Sequence, residues 1–332
     1  MTSPSANNSL RRGLGALILR ISGAILVLGL LFYFLPVRRV GAALQLVPAY
    51  LWVLVLAGYL ASHFVASLKW RLMVNLAGSG LSVPQAVRCY FAGLFSVLFL
   101  PSIVGGDIVR ATLALRMGRS KAAVLFGSLL DRILDFLALA LLTIAGALLV
   151  PGRLSPASRR VFFLVGAGAA ILAATVLLTV LLLPARRFSF RIRRQLVRLR
   201  EAQRAMSAQS HFVFAAYLLA ICVQGAFILL TTVLANAAGL HLPLQVWIFA
   251  WPIAKFSALV PLTQGGIGVR EATLAGLLFP FGAPAAMTVA VGLAWEGITI
   301  VGALLGGLVS YMIGRFKLDV VRNGERAARE IN

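Results

Sequence analysis

Five of the nine acidic residues, Asp107, Asp131, Asp135, Glu271 and Glu296, lie in or beside long apolar runs, as do the basic residues Arg110, Arg132, Lys255 and Arg270. An ionisable group among hydrocarbon side chains is costly unless it is paired, so each marks a candidate for head-group binding or a proton relay. In LLDRILDF, Asp131 and Asp135 are one helical turn apart and share a face, whereas Arg132 projects about 100° away. This spacing suggests pairing Arg132 with Asp107, and Arg110 with Asp131 or Asp135. A salt-bridge network that only fixes helix register is the competing role for the same residues.

Several of these charges sit in a duplicated segment. Residues 100–114 read LPSIVGGDIVRATLA and residues 260–275 read VPLTQGGIGVREATLA. Aligning Pro101 with Pro261 sets Gly105 and Gly106 on Gly265 and Gly266, Val109 on Val269, and Arg110 on Arg270; Ala-Thr-Leu-Ala resumes after one inserted residue, Glu271. Proline ends the preceding helix and glycine permits backbone conformations closed to other residues, so each copy is expected to turn sharply and start a new helix. The amides at such a helix start, with Arg110 or Arg270 nearby, favour an anion such as a lipid phosphate. The candidate substrate-binding set is therefore Gly105, Gly106, Asp107, Arg110, Asp131, Arg132, Asp135, Lys255, Gly265, Gly266, Gly268, Arg270 and Glu271. Packing alone could also account for the duplication, because paired glycines let helices approach closely.

The elements that must position these residues are membrane helices. Of 332 residues, 61% are hydrophobic and only 12% charged, with mean hydropathy +0.96, too little polar surface to coat a soluble globule. Six segments are long enough to span: about Leu14–Leu35, Leu46–Leu68, Ala122–Val150, Val161–Leu183, Phe212–Ala238 and Ala285–Gly314. Two more, Gln85–Val104 and Val246–Val260, run into the Pro and Gly-Gly motifs. If both crossed, giving eight spans, the N-terminus and the connection Pro184–Ser210, with eight Arg against Glu201, would lie on opposite sides. If both are re-entrant, the N-terminus, that connection, the loops with Lys69 and Arg71 and with Arg116, Arg119 and Lys121, and the C-terminal tail all become cytoplasmic.

The expected fold is thus an all-α polytopic membrane protein with six spanning helices and two re-entrant broken-helix hairpins, eight spans being the alternative. It forms a single membrane domain over residues 1–332, in halves of about 14–155 and 156–314 that are inverted with respect to each other, with a basic cytoplasmic connection at 184–211 and a tail at 315–332. Inverted repeats with broken helices are a recurring plan of secondary transporters. The first apolar run is read as a span rather than a cleaved signal peptide.

Other function classes find little support. The net charge of +22 and the pI near 11.7 come from loops between apolar runs, a pattern of membrane orientation and not of nucleic-acid binding. Cys89 and Cys222 form no metal-ligand spacing and are expected to pack as small apolar residues. No cofactor, metal or nucleophile constellation is indicated. Lys255 is either a site residue or a snorkelling lysine, His63 a packing or interfacial residue, and Trp52, Trp70, Trp247 and Trp251 an interfacial belt.

SLKWRLMV, LPSIVGGDIVR, LLDRILD and VPLTQGGIGVRE together resemble the flippase-like membrane family that includes the transmembrane region of lysylphosphatidylglycerol synthase, over about Leu14 to Gly314. The resemblance implies a lipid-translocating module of the bacterial cytoplasmic membrane, with both termini cytoplasmic. Its motif positions fall on Trp70, Arg71, Pro101, Gly105, Gly106, Asp107, Arg110, Asp131, Arg132 and Asp135, then Pro261, Gly265, Gly266, Gly268, Arg270 and Glu271. Ile267 stands where the first copy has Asp107, so the two copies are not equivalent. No counterpart of that synthase's soluble aminoacyl-transferase domain is expected in these residues, and an enzyme is not expected. The expected function is movement of a charged or glycosylated lipid between leaflets through a polar cavity, with membrane lipids and a lipid-synthesis enzyme as partners. A membrane-embedded lipid-modifying transferase and a non-transporting assembly partner are the alternatives.

Overall fold

Backbone amides and carbonyls in hydrocarbon must be satisfied within the chain, which makes the helix the solution for apolar runs of this length. The computed structural model describes residues 42–100, 103–150, 167–168, 171, 204, 208–258 and 267–330, the side chains of 103, 104 and 316–330 excepted. In chain order the helices are Ala49–Leu76 (α1), Val83–Ser96 (α2), Ile103–Met117 (α3), Lys121–Leu149 (α4), Ser210–Ala237 (α5), Leu244–Ser257 (α6), Val269–Leu278 (α7) and Ala285–Glu330 (α8), and no strand occurs among the described residues. Four of them are long and apolar enough to cross a membrane: α1, α4, α5 and α8 as far as Arg315. They correspond to four of the six expected spans. Leu14–Leu35 and nearly all of Val161–Leu183 and of the connection 184–211 lie outside the described residues.

The two ambiguous stretches become short helices. At 14 residues each, α2 and α6 fall short of the roughly 20 that a span needs. Helix α2 begins at a capping box, in which the Ser82 hydroxyl accepts from the Gln85 amide and the Gln85 side chain accepts from the Ser82 amide. Helices α2 and α3 pack as an antiparallel hairpin with both ends at the same place, since the Arg119 amide donates to the Ser79 carbonyl at 2.8 Å. Helices α6 and α7 make the corresponding hairpin in the second half: Phe281, just past α7, packs near Phe249 in the first half of α6, at 6.3 Å between rings.

Helix directions follow from these contacts. Ala216, early in α5, packs with Met73 and Ala77 at the end of α1, and Gly239, just past α5, lies beside Leu46, just before α1. So α5 runs antiparallel to α1. The α2–α3 hairpin starts from the end of the bundle where α1 finishes, and the α6–α7 hairpin starts from the opposite end, where Gly146 late in α4 meets the backbone of Phe249.

Glycine sets how closely the helices approach. The expectation of a sharp turn at Gly105 and Gly106 is corrected: both lie within the first turn and a half of α3. A Cβ on Gly106 would come 2.8 Å from the Gly93 carbonyl oxygen of α2, and one on Gly93 would come 2.7 Å from that of Gly106. Here the glycines bring two backbones together, the packing role weighed above. A Cβ on Gly146 would stand 2.5 Å from the Phe249 amide nitrogen. Gly146→Val is therefore expected to lower stability by about 1–3 kcal/mol or more, because backbone cannot yield as a side chain can; thermal unfolding of the purified protein in detergent measures it.

Two further expectations are corrected. Lys69 and Arg71 are not in a loop, because α1 continues to Leu76. Trp70, Trp247 and Trp251 are buried in the bundle rather than placed at an interfacial belt. Trp52 packs partly buried against the core; of the cysteines, Cys89 is buried and Cys222 exposed.

Candidate functional site

The charged residues collect into two clusters, one on each half. Asp131 stands ten residues into α4, about 15 Å along the helix, and Glu296 eleven residues into α8, about 16 Å along it from the opposite end of the bundle. On spans of 29 and 31 residues both therefore fall in the middle third of the helix, away from the ends where a span leaves hydrocarbon.

In the first cluster the shared face of Asp131 and Asp135 meets Lys69 of α1. Its Nζ lies 2.8 Å from Asp131 Oδ1 and 2.6 Å from Asp135 Oδ1. Arg110 of α3 is 3.5 Å from Asp131 and 3.3 Å from Asp107. Arg132 pairs with Asp107 and, at 3.3 Å, with Asp135. Three cations thus face three carboxylates. Lys69, Arg110 and Asp131 are almost wholly buried, whereas the side chains of Asp107 and Arg132 are 25% and 31% exposed, so those two form the accessible rim. The Arg110 guanidinium lies between the rings of Trp70 and Tyr90, at 4.9 and 5.1 Å, and Trp70 is held by a 2.9 Å hydrogen bond from its indole to Ser128.

The second cluster is smaller. Arg270 Nη2 lies 2.7 Å from Glu271 and 2.9 Å from Glu296. Glu271, fully buried, also accepts from the Gly268 amide at 2.6 Å, and Gly268 has φ 85°, a left-handed conformation suited to glycine. The expected free anion site at this helix start is corrected: the chain's own Glu271 occupies it. The carboxylate's fit depends on Gly292, where a Cβ would come 2.6 Å from Glu271 Cγ.

Between the clusters stand aromatic rings and one lysine. Tyr59 contacts His63, Phe227 and Trp295, and Trp295 contacts Trp251. Lys255 donates to Gln224 at 2.7 Å, sits 4.9 Å from the centre of the Phe227 ring, and is in electrostatic range of Asp135, Arg132 and Arg270. It points into the bundle and does not snorkel. His63 packs among Tyr59, Tyr90 and Phe227, as expected.

Of the sequence-derived candidates, Asp107, Arg110, Asp131, Arg132 and Asp135 come together in one cluster, Gly268, Arg270 and Glu271 in the other, with Lys255 between. Gly105 and Gly106 serve the α2–α3 contact. Gly265 and Gly266, like Pro101 and Pro261, lie outside the described residues. Sequence reasoning missed Lys69 and Gln224 and left Glu296 out of the site. The signal for Lys69 was its place in SLKWRLMV, where apolar residues continue on both sides.

The model for the lysylphosphatidylglycerol synthase transmembrane region matches residues 15–307. The chain belongs to that family. No curated protein matches it. Membership in the lysylphosphatidylglycerol synthase transmembrane-region family, with the four long apolar helices, makes this a multi-pass membrane protein related to lipid modification or transport. The matched range takes in both charged clusters and Lys255.

The pairings in this family member predict a specific rescue. Asp107→Arg or Arg132→Asp alone sets like charges together and is expected to reduce folded yield strongly, while the double exchange restores only part of it, because Arg110 and Asp135, each 3.3 Å from the exchanged positions, then face like charges. Size-exclusion profiles of the three variants read the outcome.

Proposed function

We propose that this protein moves a lipid bearing a charged or glycosylated head group between the leaflets of a bacterial cytoplasmic membrane. The observation that carries this reading is the placement of ten ionisable side chains, the two clusters with Lys255, near the middle of the bundle. Unassisted flip is slow because a polar head must cross hydrocarbon, and a row of fixed charges replaces part of its lost hydration. Asp107 and Arg132 would meet the head group from one half, Arg270 and Glu296 from the other, and Lys255 would pass an anion between them.

The inner groups are tightly paired, so the state described is closed to a head group. Passage requires the halves to part. The two short-helix hairpins, read as re-entrant elements of an inverted repeat in a six-span chain with both termini cytoplasmic, are the units proposed to move. Translocation without chemical conversion fits the carboxylates: each is held by at least one cation, which disfavours action as a general base. Partnership with a lipid-synthesis enzyme would supply the substrate.

The test is purified protein in vesicles carrying labelled lipids with anionic, zwitterionic, cationic and glycosylated heads, followed by mass spectrometry of the recovered lipid. Accelerated movement of at least one class, with its mass unchanged, is expected. A changed mass would favour the transferase alternative.

A further inference from the structure

A second cationic feature lies away from both clusters. Arg71, Arg88, Arg116, Arg119, Lys121 and Arg315 gather at the end of the bundle where α1 finishes, α2 and α4 begin, and the span in α8 ends. The opposite end has no Lys or Arg among the described residues. On the outer flank at this basic end, α2, α3 and α8 border an open cavity of about 300 Å³ lined by Arg88, Arg315, Tyr311, Phe95, Leu113 and Gly314.

The cavity has a charged mouth and an apolar floor. The Arg88 guanidinium lies against Gly314, where a Cβ would come 3.1 Å from its Cζ. The Ser310 hydroxyl donates to the Arg88 carbonyl at 2.9 Å and ties α2 to α8 at this level. The Arg315 guanidinium sits 5.7 Å from the centre of the Tyr311 ring. Among the described side chains neither arginine forms an ion pair with a carboxylate, in contrast to Arg110, Arg132 and Arg270. Two guanidinium groups with no carboxylate against them among the described side chains, at the depth where a span leaves hydrocarbon, complement an anionic lipid phosphate.

We propose that this cavity holds one anionic phospholipid of the adjoining leaflet, its phosphate between Arg88 and Arg315 and an acyl chain along Phe95 and Leu113. The ligand is a lipid rather than a soluble anion because the floor beneath the arginines is apolar and open to the bilayer. The site is separate from the proposed path and stands or falls independently of transport.

Binding is measured on the full chain in neutral detergent, by native mass spectrometry with added dioleoyl phosphatidate, dioleoyl phosphatidylcholine or glycerol phosphate. Phosphatidate is expected to bind at least about tenfold more tightly than either of the others. Arg88→Gln with Arg315→Gln should weaken phosphatidate roughly 30-fold, each arginine contributing about fivefold. Arg116→Gln with Lys121→Gln removes the same charge from the same end outside the cavity and should change binding less than about twofold. If the first pair does not fold, Arg315→Gln alone, at an exposed position, should still lose about fivefold. Equal losses from both pairs would overturn the site in favour of diffuse charge. Glycerol phosphate binding as tightly as phosphatidate would overturn the lipid assignment, as would wild-type binding by the cavity variants.

Discussion

Lys69→Met is expected to leave little folded protein. Lys69 lies 2.8 and 2.6 Å from Asp131 and Asp135, at 1% exposure, where water cannot replace it. Removing it leaves two carboxylates facing only Arg110 and Arg132. Breaking a buried ion pair from one side costs about 3–5 kcal/mol, a large part of an ordinary folding free energy of about 5–15 kcal/mol. The expected readout is loss of the monodisperse chromatographic peak and a thermal midpoint lowered by about ten degrees or more in what remains. Adding Asp135→Asn alone to Lys69→Met should recover most of the folded protein, because Arg110 and Arg132 then face the two carboxylates Asp107 and Asp131 and the charges balance again. Unchanged stability of the single variant would mean that the three groups do not pair as described.

Neutralising a pair from both sides is expected to do the opposite: the fold survives and transport is lost. Asp107→Asn with Arg132→Gln keeps polar side chains of similar size at the rim of the first cluster and leaves Lys69 and Arg110 facing Asp131 and Asp135, and Arg270→Gln with Glu271→Gln and Glu296→Gln does the same in the second cluster, where Arg270 is the partner of both carboxylates. Replacing both members of a buried pair is often neutral for stability. A head group that uses these charges to cross loses them in either variant, and flip should slow about tenfold or more, a barrier increase of about 1.4 kcal/mol. A network that only sets helix register predicts no change, so these variants separate the two roles directly.

The sequence made the core chemistry partly legible because helical spacing is a strong constraint. Asp131 and Asp135 four residues apart must share a face, and both meet Lys69; Arg132 and Asp107 pair as their positions suggest. The glycines were misread because a Gly-Gly pair marks equally a turn or a close backbone contact, and only the distance between Gly93 and Gly106 decides. Lys69 was hidden for a related reason. A charge near the end of an apolar run looks like a loop boundary until its carboxylate partner, sixty-six residues away for Asp135, is brought to it. Glu271 and Glu296 were visible as intramembrane acids, but that both close on Arg270 is tertiary information, since Glu296 comes from a different helix. The tryptophans show the same limit: position near a helix end suggests an interface, whereas Trp70 and Trp251 serve as surfaces for Arg110 and Arg270.

Transport as proposed requires charge at the centre of the bundle to act on a lipid head group. The measurement that meets this most directly is leaflet-resolved lipid movement in proteoliposomes of wild type and of Asp107→Asn with Arg132→Gln, at equal reconstituted amounts of folded protein. Acceleration over protein-free vesicles is expected for wild type, and its loss, about tenfold or more, in the variant. Equal acceleration by both would contradict the proposal and leave the cluster a structural brace.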